Sequence, residues 1–512
     1  MNKTKSLFFT LLLCLFFFIP SYISGDCFTV LVGKNASVDG AVLFGHNEQN
    51  GGRRIINYIY IPRMEFLPGD EVILKNGGRL PQVKETYAMW WLQNPEVQFG
   101  DSYFNEWGVV VSSDACSTRE DSYNELVKRG DITDGGIGYM LRRLVAQRAK
   151  TAREGVKIAG DLLDRFGYTS SGRSLIIADP NEAWVLAITR GKHWIAQKCP
   201  DDEVVLLPNI HIIGAEADIN DNENVMASSG LVKYAVERGW YDPTQGNPFS
   251  FKKAFRRPPR KGSFRDRYGV DPRQWYAQCM VKEETIDLDS VNQLSFSVKP
   301  KEKMTVKHVA DILRSHLEGT EFDTTENYKL GSPHKVRSEA SRICGSTTQE
   351  GAVYQLRRKM PLEIGCVVWR SLATPCSSAL TPWYLGMNKM PEHYFKSSDV
   401  EKELDLNKHF DYPSQRFEFD PNFAFDVFNA LENLVDLDYK KSIKIVRSEW
   451  DDFENHQFAV QSAVEDTALK LYQKDEKLAI DFLTRYSLSR AILAFYKAKD
   501  LVNRLKTIYW RH

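Results

Sequence analysis

Cys27 is the residue of this sequence best placed to do chemistry. It follows an apolar N-terminal stretch that ends in small residues, and it opens the apolar segment Phe28 to Val32. If the preceding residues are removed, Cys27 becomes the first residue and carries both a thiol and a free α-amine. Because an α-amine has a pKa of about 8, it can accept the thiol proton. The position therefore predicts a cysteine nucleophile that is activated by its own amine.

Residues 1–26 have the composition of a secretory signal. Two lysines give a positive start, Leu7 to Ile19 form an apolar core, and Pro20 to Gly25 form a small-residue exit. The apolar core is shorter than the roughly 20 residues that a membrane-spanning helix needs, so cleavage is expected rather than anchoring. We expect an exported protein, extracellular or periplasmic, with no stable membrane insertion. Cleavage before Asp26 would leave a one-residue propeptide.

The same cysteine allows an alternative, because bacterial lipoproteins are anchored through a cysteine at the signal exit. Their signals place a small residue directly before that cysteine, whereas this chain has Asp26. Acylation would block the α-amine of Cys27 and leave a lipid-anchored, non-catalytic protein. This alternative predicts no hydrolysis that a thiol reagent can inhibit.

Composition indicates a globular chain that forms a large core. Lys plus Arg and Asp plus Glu balance at 67 each, and aromatic residues make up 12% of the sequence. A neutral chain of this kind has no electrostatic reason to bind nucleic acid. The basic and aromatic stretch 251–268 is predicted to be a solvated surface loop, with a guanidinium that grips a substrate carboxylate as the alternative.

The cysteines favour one reactive thiol and no metal. Cys14 lies in the signal, which leaves seven, an odd number, in the exported chain. Cys27 is the natural unpaired thiol, and the other six are free to form disulfides or to remain as buried thiols. The chain has no CxxC and no Cys/His spacing typical of zinc, and its ten histidines are scattered. We predict no cofactor and no metal site.

Hydrophobic patterns predict a layered arrangement of sheets and helices. A first hairpin is expected over 28–47 around an Asp39-Gly40 turn, and a helix is expected from the Thr151/Glu154 capping box to Gly167. Further elements are a strand at 109–111, strands between 174 and 207, a helix over 305–318, a strand-rich segment over 342–384 and a helical region from 421 to the end.

These residues resemble the PepD-type dipeptidases among the cysteine N-terminal-nucleophile hydrolases. The resemblance covers nearly the whole chain after the signal, in order. It is carried by Cys27 with Thr29, Leu31 to Lys34, Ala36-Ser37, Asp39-Gly40, Asn47-Glu48, Asn105 to Val109, Lys150 to Gly155, Ala178-Asp179, Glu182 to Trp184, Asp201 to Asn209, His316 to Thr320, Gln355 to Arg357, Met360-Pro361, Trp369 and Leu483 to Ser487.

The resemblance implies an α+β fold, a four-layer αββα sandwich. It implies a catalytic domain over 27–420 and a helical region over 421–512 packed on the same domain. The implied activity is hydrolysis of dipeptides or short peptides through a Cys27 thioester, after autoprocessing or another protease has freed the amine. A related amide hydrolase acting on N-acyl amino acids or conjugates is the alternative.

Two sets of polar residues follow from the resemblance as site candidates. Asn209 resembles the asparagine that related cysteine hydrolases aim at the oxyanion, although an asparagine after a strand also caps turns. Asn105 and Asn47 are candidate substrate contacts. The alternative for Asn105 is a turn that leads into a strand, because Asn-Glu-x-Gly also has that use.

His46 is where the sequence departs from the family pattern, because relatives often carry arginine at this place. A histidine can still donate a hydrogen bond near Cys27, but its charge depends on pH. Arg342 resembles a distant arginine of related acylases and is the candidate for the missing fixed positive charge. The alternative for both residues is a surface ion pair.

Overall fold

The structure is a computed structural model that describes residues 27–50, 57–94, 99–291, 293–325, 332–334, 340–395 and 419–510. The predicted secretory signal, residues 1–26, lies outside the described residues.

The described residues contain nineteen strands. They are β1 Phe28–Val32, β2 Val42–Gln49, β3 Asn57–Ile61, β4 Met64–Glu65, β5 Glu71–Ile73, β6 Arg79–Pro81, β7 Glu85–Thr86, β8 Met89–Asn94, β9 Phe99–Asn105, β10 Val110–Ala115, β11 Arg173–Ala178, β12 Ala183–Ile188, β13 Trp194–Lys198, β14 Val204–Leu207, β15 Val225–Ala227, β16 Ser297–Val298, β17 Thr348–Leu356, β18 Cys366–Leu372 and β19 Thr381–Tyr384.

Twelve α-helices accompany them in the same part of the chain. They are α1 Tyr123–Arg129, α2 Met140–Arg148, α3 Ala152–Phe166, α4 Leu231–Glu237, α5 Phe251–Phe255, α6 Phe264–Tyr268, α7 Pro272–Lys282, α8 Val306–Leu313, α9 Leu362–Gly365, α10 Ala424–Val435, α11 Tyr439–Tyr472 and α12 Glu476–Tyr509.

Two large antiparallel sheets form the centre of the protein. The first has seven strands in the order β16-β14-β1-β2-β17-β18-β19, and the second has eight in the order β15-β13-β12-β11-β10-β9-β8-β3. The β1–β2 hairpin therefore lies in the middle of the first sheet. The two sheets face each other, since Phe44 of β2 stacks on Tyr354 of β17, whose ring also meets Phe104 of β9 at a centroid distance of 5.3 Å.

Helices cover the outer face of each sheet. Helices α2 and α3 pack on the second sheet, where Leu144 and Leu163 share a buried cluster with Ile177 of β11. Helix α8 packs on the first sheet so closely that a Cβ on Gly45 would lie 2.4 Å from a methyl of Val309. The fold is thus a four-layer αββα sandwich, and the fold class predicted from the sequence is confirmed.

The first hairpin forms where the sequence predicts it. The Asp39 carboxylate accepts a hydrogen bond from the Ala41 amide at 3.2 Å, and Gly40 adopts φ +77°, which a glycine reaches without strain. Phe28 pairs with Asn47, and Thr29 pairs with His46. Alternation along the strands then puts Thr29 and His46 on the face that meets the second sheet.

The basic stretch 251–268 is a solvated loop only in its middle. Residues 257–262, around the two prolines, are exposed and lie outside the helices, as the sequence predicts. The two ends form α5 and α6 instead, and their three phenylalanines are buried in the core. Lys252 is also buried and donates to the Leu294 carbonyl at 3.0 Å. The loop prediction was wrong at the two ends because hydrophobic side chains spaced along short helices outweighed the high charge of the segment.

Two other elements differ in extent from their predictions. The helix expected over 305–318 is α8 and ends at Leu313, and Leu317 has the left-handed φ of +66° that no α-helix accommodates. The strand-rich segment expected over 342–384 also contains the single helical turn α9, and β18 begins directly after it at Cys366.

The C-terminal helices pack against the first sheet. Phe428 and Leu505 belong to the same buried cluster as Val353 of β17 and Trp383 of β19. Buried ion pairs add polar links to α11: Arg357 donates two hydrogen bonds to Glu465 at 2.8 and 2.5 Å, and Arg314 donates to Glu454 at 2.6 Å. Among the described residues, no helix has both the length and the apolar character that crossing a membrane requires.

Candidate active site

Cys27 lies at the head of β1, between two neighbouring strands. On one side is the end of β2, and on the other is the segment that follows β14. The thiol is almost completely buried, with 7% of the residue exposed. The strand that the sequence predicts behind this cysteine therefore holds it within the sheet, rather than on a loose terminus.

The Cys27 thiol has polar partners on β2. Its Sγ lies 3.7 Å from the Glu48 Oε2 and 3.5 Å from the Gln49 carbonyl oxygen, to either of which it can donate. The Gln49 amide lies 3.4 Å from Sγ and donates to it. This amide hydrogen bond stabilises a thiolate, whereas the buried Glu48 carboxylate can accept a proton or bind a cation beside the sulfur.

Asn209 lies across the sheet from Cys27. The pairing of Thr29 with Leu207, continued for two residues, brings Asn209 next to Cys27. Its Oδ1 accepts a hydrogen bond from Arg273 at 3.0 Å, whereas its buried Nδ2 has no hydrogen-bond partner among the described residues. A buried amide that lacks an acceptor beside a thiol can donate to an oxyanion formed there.

Arg273 connects the two sides of the site. It stands in the first turn of α7, whose N-cap Asp271 accepts from the Arg273 amide at 3.0 Å. Its Nη1 donates to the Cys27 carbonyl oxygen at 3.2 Å as well as to the Asn209 Oδ1. This guanidinium is buried and holds the backbone of the nucleophile and the candidate oxyanion donor in one arrangement.

His46 reaches the opposite sheet. Its Nε2 lies 3.1 Å from the Asp114 Oδ1, and the Thr29 hydroxyl donates to the Asp114 Oδ2 at 2.8 Å. All three residues are buried. His46, Thr29 and Asp114 thus join the strand of the nucleophile to β10, and they fix the separation of the two sheets beside Cys27.

A second guanidinium, that of Arg173, lies on the β11 side. Arg173 donates to the Ser113 hydroxyl at 2.9 Å and lies 4.9 Å from the Tyr139 ring centroid. Burial disfavours its charge, but interactions with Tyr168, Tyr139 and Cys27 outweigh burial and raise the Arg173 pKa. Tyr139, which packs against this guanidinium, also lines a cavity of about 190 Å³.

The other cysteines differ from Cys27 in their environment. None of the seven cysteines after the signal forms a disulfide, and all seven lie in the described residues. Burial raises the pKa of the Cys116 and Cys366 thiols to about 12. Such thiols remain protonated and inert at neutral pH.

Asn47 faces away from Cys27. It points to the outer face of β2, where its Nδ2 donates to the carbonyl oxygens of Leu313 at 2.8 Å and Ile343 at 3.0 Å. The structure gives this side chain a supporting position between β2, the end of α8 and the segment before β17, in place of the substrate contact predicted from the sequence.

Asn105 forms the turn that was the alternative for its motif. Its Nδ2 donates to the Ala146 and Ala149 carbonyl oxygens, both at 2.8 Å, and its Oδ1 accepts from the Trp107 and Val109 amides, both at 3.0 Å. Since every hydrogen-bonding position of this amide is used within the protein, the side chain is not available to a substrate.

Arg342 lies in the segment before β17 and donates through Nε to the Thr324 hydroxyl at 3.0 Å. The fixed positive charges that the structure places around Cys27 are instead Arg273 and Arg173. Of the residues predicted from the sequence, Cys27, His46 and Asn209 come together, whereas Asn47, Asn105 and Arg342 bind other parts of the protein.

Sequence reasoning missed Arg273, Glu48 and Asp114 as site residues. A sequence signal existed for Arg273, because Asp271-Pro272 is a typical helix start and Arg273 follows shortly after the basic stretch 251–268 that was considered for substrate binding. A sequence signal also existed for Glu48, because side chains alternate between the two faces along β2 and Glu48 therefore lies on the same face as His46. Asp114 lies on the other sheet, and no sequence signal connected it with Cys27.

Three of these side chains could also approach a metal ion. Ligand atoms of Cys27, His46 and Glu48 lie within 4.8 Å of one another. The hydrogen bonds described above, to Asp114, to Gln49 and between Cys27 and Glu48, account for this closeness without an ion.

Relatives with curated names are dipeptidases. A probable dipeptidase of Latilactobacillus sakei is 29% identical over 372 residues, which cover 72% of this chain and 76% of the relative. A probable dipeptidase of Salmonella dublin is 28% identical over 379 residues, 73% of this chain and 83% of the relative. The resemblance to PepD-type dipeptidases that the sequence motifs predict is thus confirmed.

Among solved structures, the penicillin V acylase from Agrobacterium tumefaciens is 11% identical. The match covers 70% of this chain and 86% of the acylase, with a TM-score of 0.32. The model of peptidase family C69 matches residues 26–450, which begin one residue before Cys27. Because this match covers most of the sequence, the chain belongs to peptidase family C69 and is a hydrolase.

Proposed function

We propose that this chain is an exported dipeptidase whose nucleophile is Cys27 as the first residue of the processed protein. The observation that carries the proposal is the position of the Cys27 sulfur. A donor amide and a buried carboxylate lie beside it on β2, and Asn209, with its unpaired Nδ2, lies across the sheet. The names of the relatives support the choice of dipeptides as substrate.

The proposed cycle uses groups that belong to Cys27 and Asn209. The α-amine accepts the thiol proton, and the sulfur attacks the peptide carbonyl carbon. Asn209 donates from Nδ2 to the oxygen that becomes negative. The carbon–nitrogen bond then breaks, and the ammonium of Cys27 protonates the leaving amine. A water molecule, deprotonated by the same amine, hydrolyses the thioester and restores the thiol.

Charges around Cys27 favour a dipeptide over an N-acyl amino acid. A dipeptide carries an ammonium group close to the bond that is cleaved, and an N-acyl amino acid does not. The buried Glu48 carboxylate, 3.7 Å from the sulfur, can pair with such an ammonium. An ammonium beside this buried carboxylate would offset part of the desolvation penalty of the carboxylate, which favours a substrate with a free ammonium group.

Processing at Asp26 fits the same chemistry. The Cys27 thiol can attack the Asp26 carbonyl carbon and move the preceding acyl group from nitrogen to sulfur. Hydrolysis of that thioester then releases the acyl group and leaves a free amine and a free thiol. Removal by another protease would give the same N-terminus, and the two routes differ in whether they need the thiol.

Burial of the thiol opposes the lipid-anchor alternative. The Cys27 sulfur is enclosed by β2 and hydrogen-bonded there, with only 7% of the residue exposed. A diacylglycerol group on this sulfur would have to leave the sandwich to reach a membrane, which would break these contacts. The Gln49 amide that donates to the sulfur stabilises a thiolate, which fits a nucleophile better than a thioether.

The test combines N-terminal sequencing and intact mass with a small substrate panel. The panel contains free dipeptides, the same dipeptides with an acetylated N-terminus, and N-acyl amino acids. We expect a chain that begins at Cys27 and hydrolyses only the free dipeptides. Cys27→Ala should lower kcat by at least about a thousandfold while the circular dichroism spectrum is retained.

Cys279→Ser is the matched control, because Cys279 is a partly exposed thiol on α7 outside the site. It should keep normal activity and normal inhibition by iodoacetamide. Hydrolysis by Cys27→Ala at the wild-type rate, or a diacylated Cys27 in the exported protein, would end the proposal. Preference for N-acyl amino acids would keep the nucleophile and change the substrate.

A further inference from the structure

Four buried side chains with metal-binding atoms meet at the outer face of the first sheet, which is the face that points away from the second sheet. They are His316, just after α8, His334 in the segment 332–334, Cys344 before β17, and Cys376 after β18. Their ligand atoms all lie within 4.8 Å of one another, and none of the four residues is more than 6% exposed. Two imidazoles and two thiols are a common ligand set for zinc.

The distances within this cluster suit a tetrahedral ion. His316 Nε2 lies 3.1 Å from His334 Nε2, which lies 3.5 Å from the Cys376 Sγ and 3.8 Å from the Cys344 Sγ. A tetrahedron with ordinary zinc bond lengths has edges of about 3.3 Å between nitrogens and about 3.5 Å between nitrogen and sulfur. The observed separations are close to these edges.

The partners of the two imidazoles are an independent observation that points to a cation. His334 Nδ1 lies 2.8 Å from the Asp436 carboxylate, and His316 Nδ1 lies 3.0 Å from the Glu318 carboxylate. A carboxylate accepts, so each neutral ring carries its proton on Nδ1 and turns a lone pair outward from Nε2. Two lone pairs 3.1 Å apart repel each other unless a proton or a metal cation lies between them.

A histidine that binds zinc through one ring nitrogen commonly donates the N–H of its other ring nitrogen to a carboxylate, as both histidines can here. Such carboxylates fix the tautomer and the ring orientation and make the other nitrogen a better ligand. Asp436 is itself held by the Ser332 hydroxyl at 2.6 Å, and Glu318 is held by the Ser315 hydroxyl at 3.0 Å. The Tyr439 ring lies edge-on to both imidazoles, at centroid distances of 5.6 and 5.7 Å.

Two alternative roles for these four residues account for fewer of the observed contacts. A disulfide between Cys344 and Cys376 would leave both carboxylate-bound histidines without a role, and the structure has these thiols unlinked. A second nucleophile built from Cys376, His334 and Asp436 would need access to substrate, but all three are buried. It would also leave His316 and Cys344 unexplained.

We propose that His316, His334, Cys344 and Cys376 bind one Zn²⁺ in a closed, structural site. Binding releases the two thiol protons to solvent, and two thiolates then balance the charge of the ion. With four protein ligands the ion has no open position, so its role is structural. This proposal replaces the expectation of no metal site, which rested on ligand spacing along the sequence.

The ion would connect the helical region with the support of the active site. Asp436, which orients His334, ends α10, whereas Cys344 follows Ile343. The Ile343 carbonyl oxygen accepts from the side-chain amides of Asn47 at 3.0 Å and Gln49 at 2.8 Å. Because the Gln49 backbone amide donates to the Cys27 sulfur, a metal at Cys344 steadies the strand that holds the nucleophile.

The first test is the metal content of the full protein, purified without a histidine tag or added chelator. We expect about one Zn²⁺ per chain by elemental mass spectrometry. A Cys344→Ser/Cys376→Ser double variant should lose it, whereas Cys279→Ser and Cys27→Ala should keep it. Retention in Cys27→Ala separates this site from the group formed by Cys27, His46 and Glu48.

A second measurement covers the case in which the ligand variants fail to fold. Wild-type protein is unfolded with chelator and a thiol reductant, then refolded with Co²⁺. We expect the absorption of tetrahedral Co²⁺ with thiolate ligands, and protection of two thiols from alkylation until the metal is removed. A Cys344–Cys376 disulfide in active protein, or wild-type protein that retains no metal after exposure to Zn²⁺, would overturn the proposal.

Discussion

At the residue scale, Asn209 and Asn105 differ in whether their side-chain N–H groups already donate hydrogen bonds within the protein. Asn105 uses both its nitrogen and its oxygen within a turn. Asn209 uses its oxygen for Arg273 and keeps a buried Nδ2 that no described residue pairs with. An unpaired buried donor costs about 1–3 kcal/mol in the free protein, which is recovered when an oxyanion accepts from it.

Asn209→Asp is the sharpest test of this residue. The change keeps the oxygen that accepts from Arg273, removes the N–H donor and adds a negative charge beside the developing oxyanion. We expect kcat to fall by about a hundredfold to a thousandfold, with a much smaller change in KM. Steady-state kinetics with the preferred dipeptide provide the measurement.

Asn209→Gln is the companion variant, because it keeps both amide functions on a longer side chain. It should retain more activity than Asn209→Asp. If Asn209→Asp works within about threefold of the wild-type rate, Asn209 caps a turn, as its sequence alternative states, and another group binds the oxyanion.

The sequence predicted Cys27 and Asn209 as site candidates but not the charged side chains that the structure places around them. Cys27 is visible because of its position behind a signal, and Asn209 follows a recognisable strand. Arg273 reaches Cys27 only because α7 packs beside β14, and Asp114 reaches His46 across two sheets. Contacts of this kind depend on tertiary packing, which residue spacing does not reveal.

At the element scale, the turn that starts β10 depends on one side chain. Asn105 closes this turn and also accommodates two carbonyl groups at the end of α2. Gly108 completes it with φ +75°, and a Cβ at this position would lie 3.2 Å from the Cys366 sulfur. The Asn-Glu-x-Gly motif is therefore a structural element that positions β10 and, with it, Asp114.

Asn105→Asp should destabilise the fold without altering substrate affinity. The variant loses two buried N–H donors and brings a carboxylate towards two carbonyl oxygens. We expect a loss of about 2–5 kcal/mol in the free energy of unfolding, measured by urea denaturation. At a temperature where the variant is folded, KM should be unchanged. A raised KM with normal stability would restore the substrate contact predicted from the sequence.

Elements with local signals were predicted well, and those set by packing were not. The β1–β2 hairpin and α3 both have turn or capping residues, and α3 begins with Thr151 accepting from the Glu154 amide and ends at Gly167. Helix α8 ends earlier than its hydrophobic pattern predicts. His316 lies beyond the end of the helix, where it contacts Glu318 and His334, and the second of these contacts is set by a residue distant from α8 in sequence.

At the scale of the whole molecule, buried ion pairs join the helical region to the sandwich. Glu465 of α11 holds Arg357 at the end of β17 through two hydrogen bonds. Removing one partner of such a pair leaves the other charge buried without compensation. The C-terminal helices therefore contribute directly to the stability of the catalytic sheet.

We expect Glu465→Ala to lower the free energy of unfolding by about 3–5 kcal/mol in urea denaturation. Glu449→Ala on the same helix is the matched control, because its pair with Lys497 is partly exposed and should be worth less than about 1 kcal/mol. Equal effects of the two variants would show that the helical region is only loosely attached.

Acid should weaken the fold through a buried histidine. His211 packs against Phe251 and has no hydrogen-bond partner on its ring within the described residues. Burial and the charge of Arg256 lower the His211 pKa from 6.5 to about 3. The unfolded chain therefore binds one more proton in this interval. Stability is complete above pH 6.5 and decreases as pH falls towards 3.

The slope from this residue is at most about 1.4 kcal/mol per pH unit. His211→Phe removes the titrating group, so the variant should lose less stability than the wild type between pH 6.5 and about 5. Urea denaturation across this interval measures the difference. Parallel curves for the two proteins would mean that His211 titrates normally in the folded state.

The central position of the β1–β2 hairpin in its sheet has a consequence for how the protein folds during synthesis. The edges of this hairpin pair with β14 on one side and β17 on the other, and these strands begin at Val204 and Thr348, far along the chain from Gln49. Until these strands are synthesised, a nascent chain carries an apolar hairpin with two unpaired edges, a form that aggregates or needs a chaperone. Ribosome-bound intermediates should therefore be inactive, and the nucleophile becomes competent only when almost the whole polypeptide has been made.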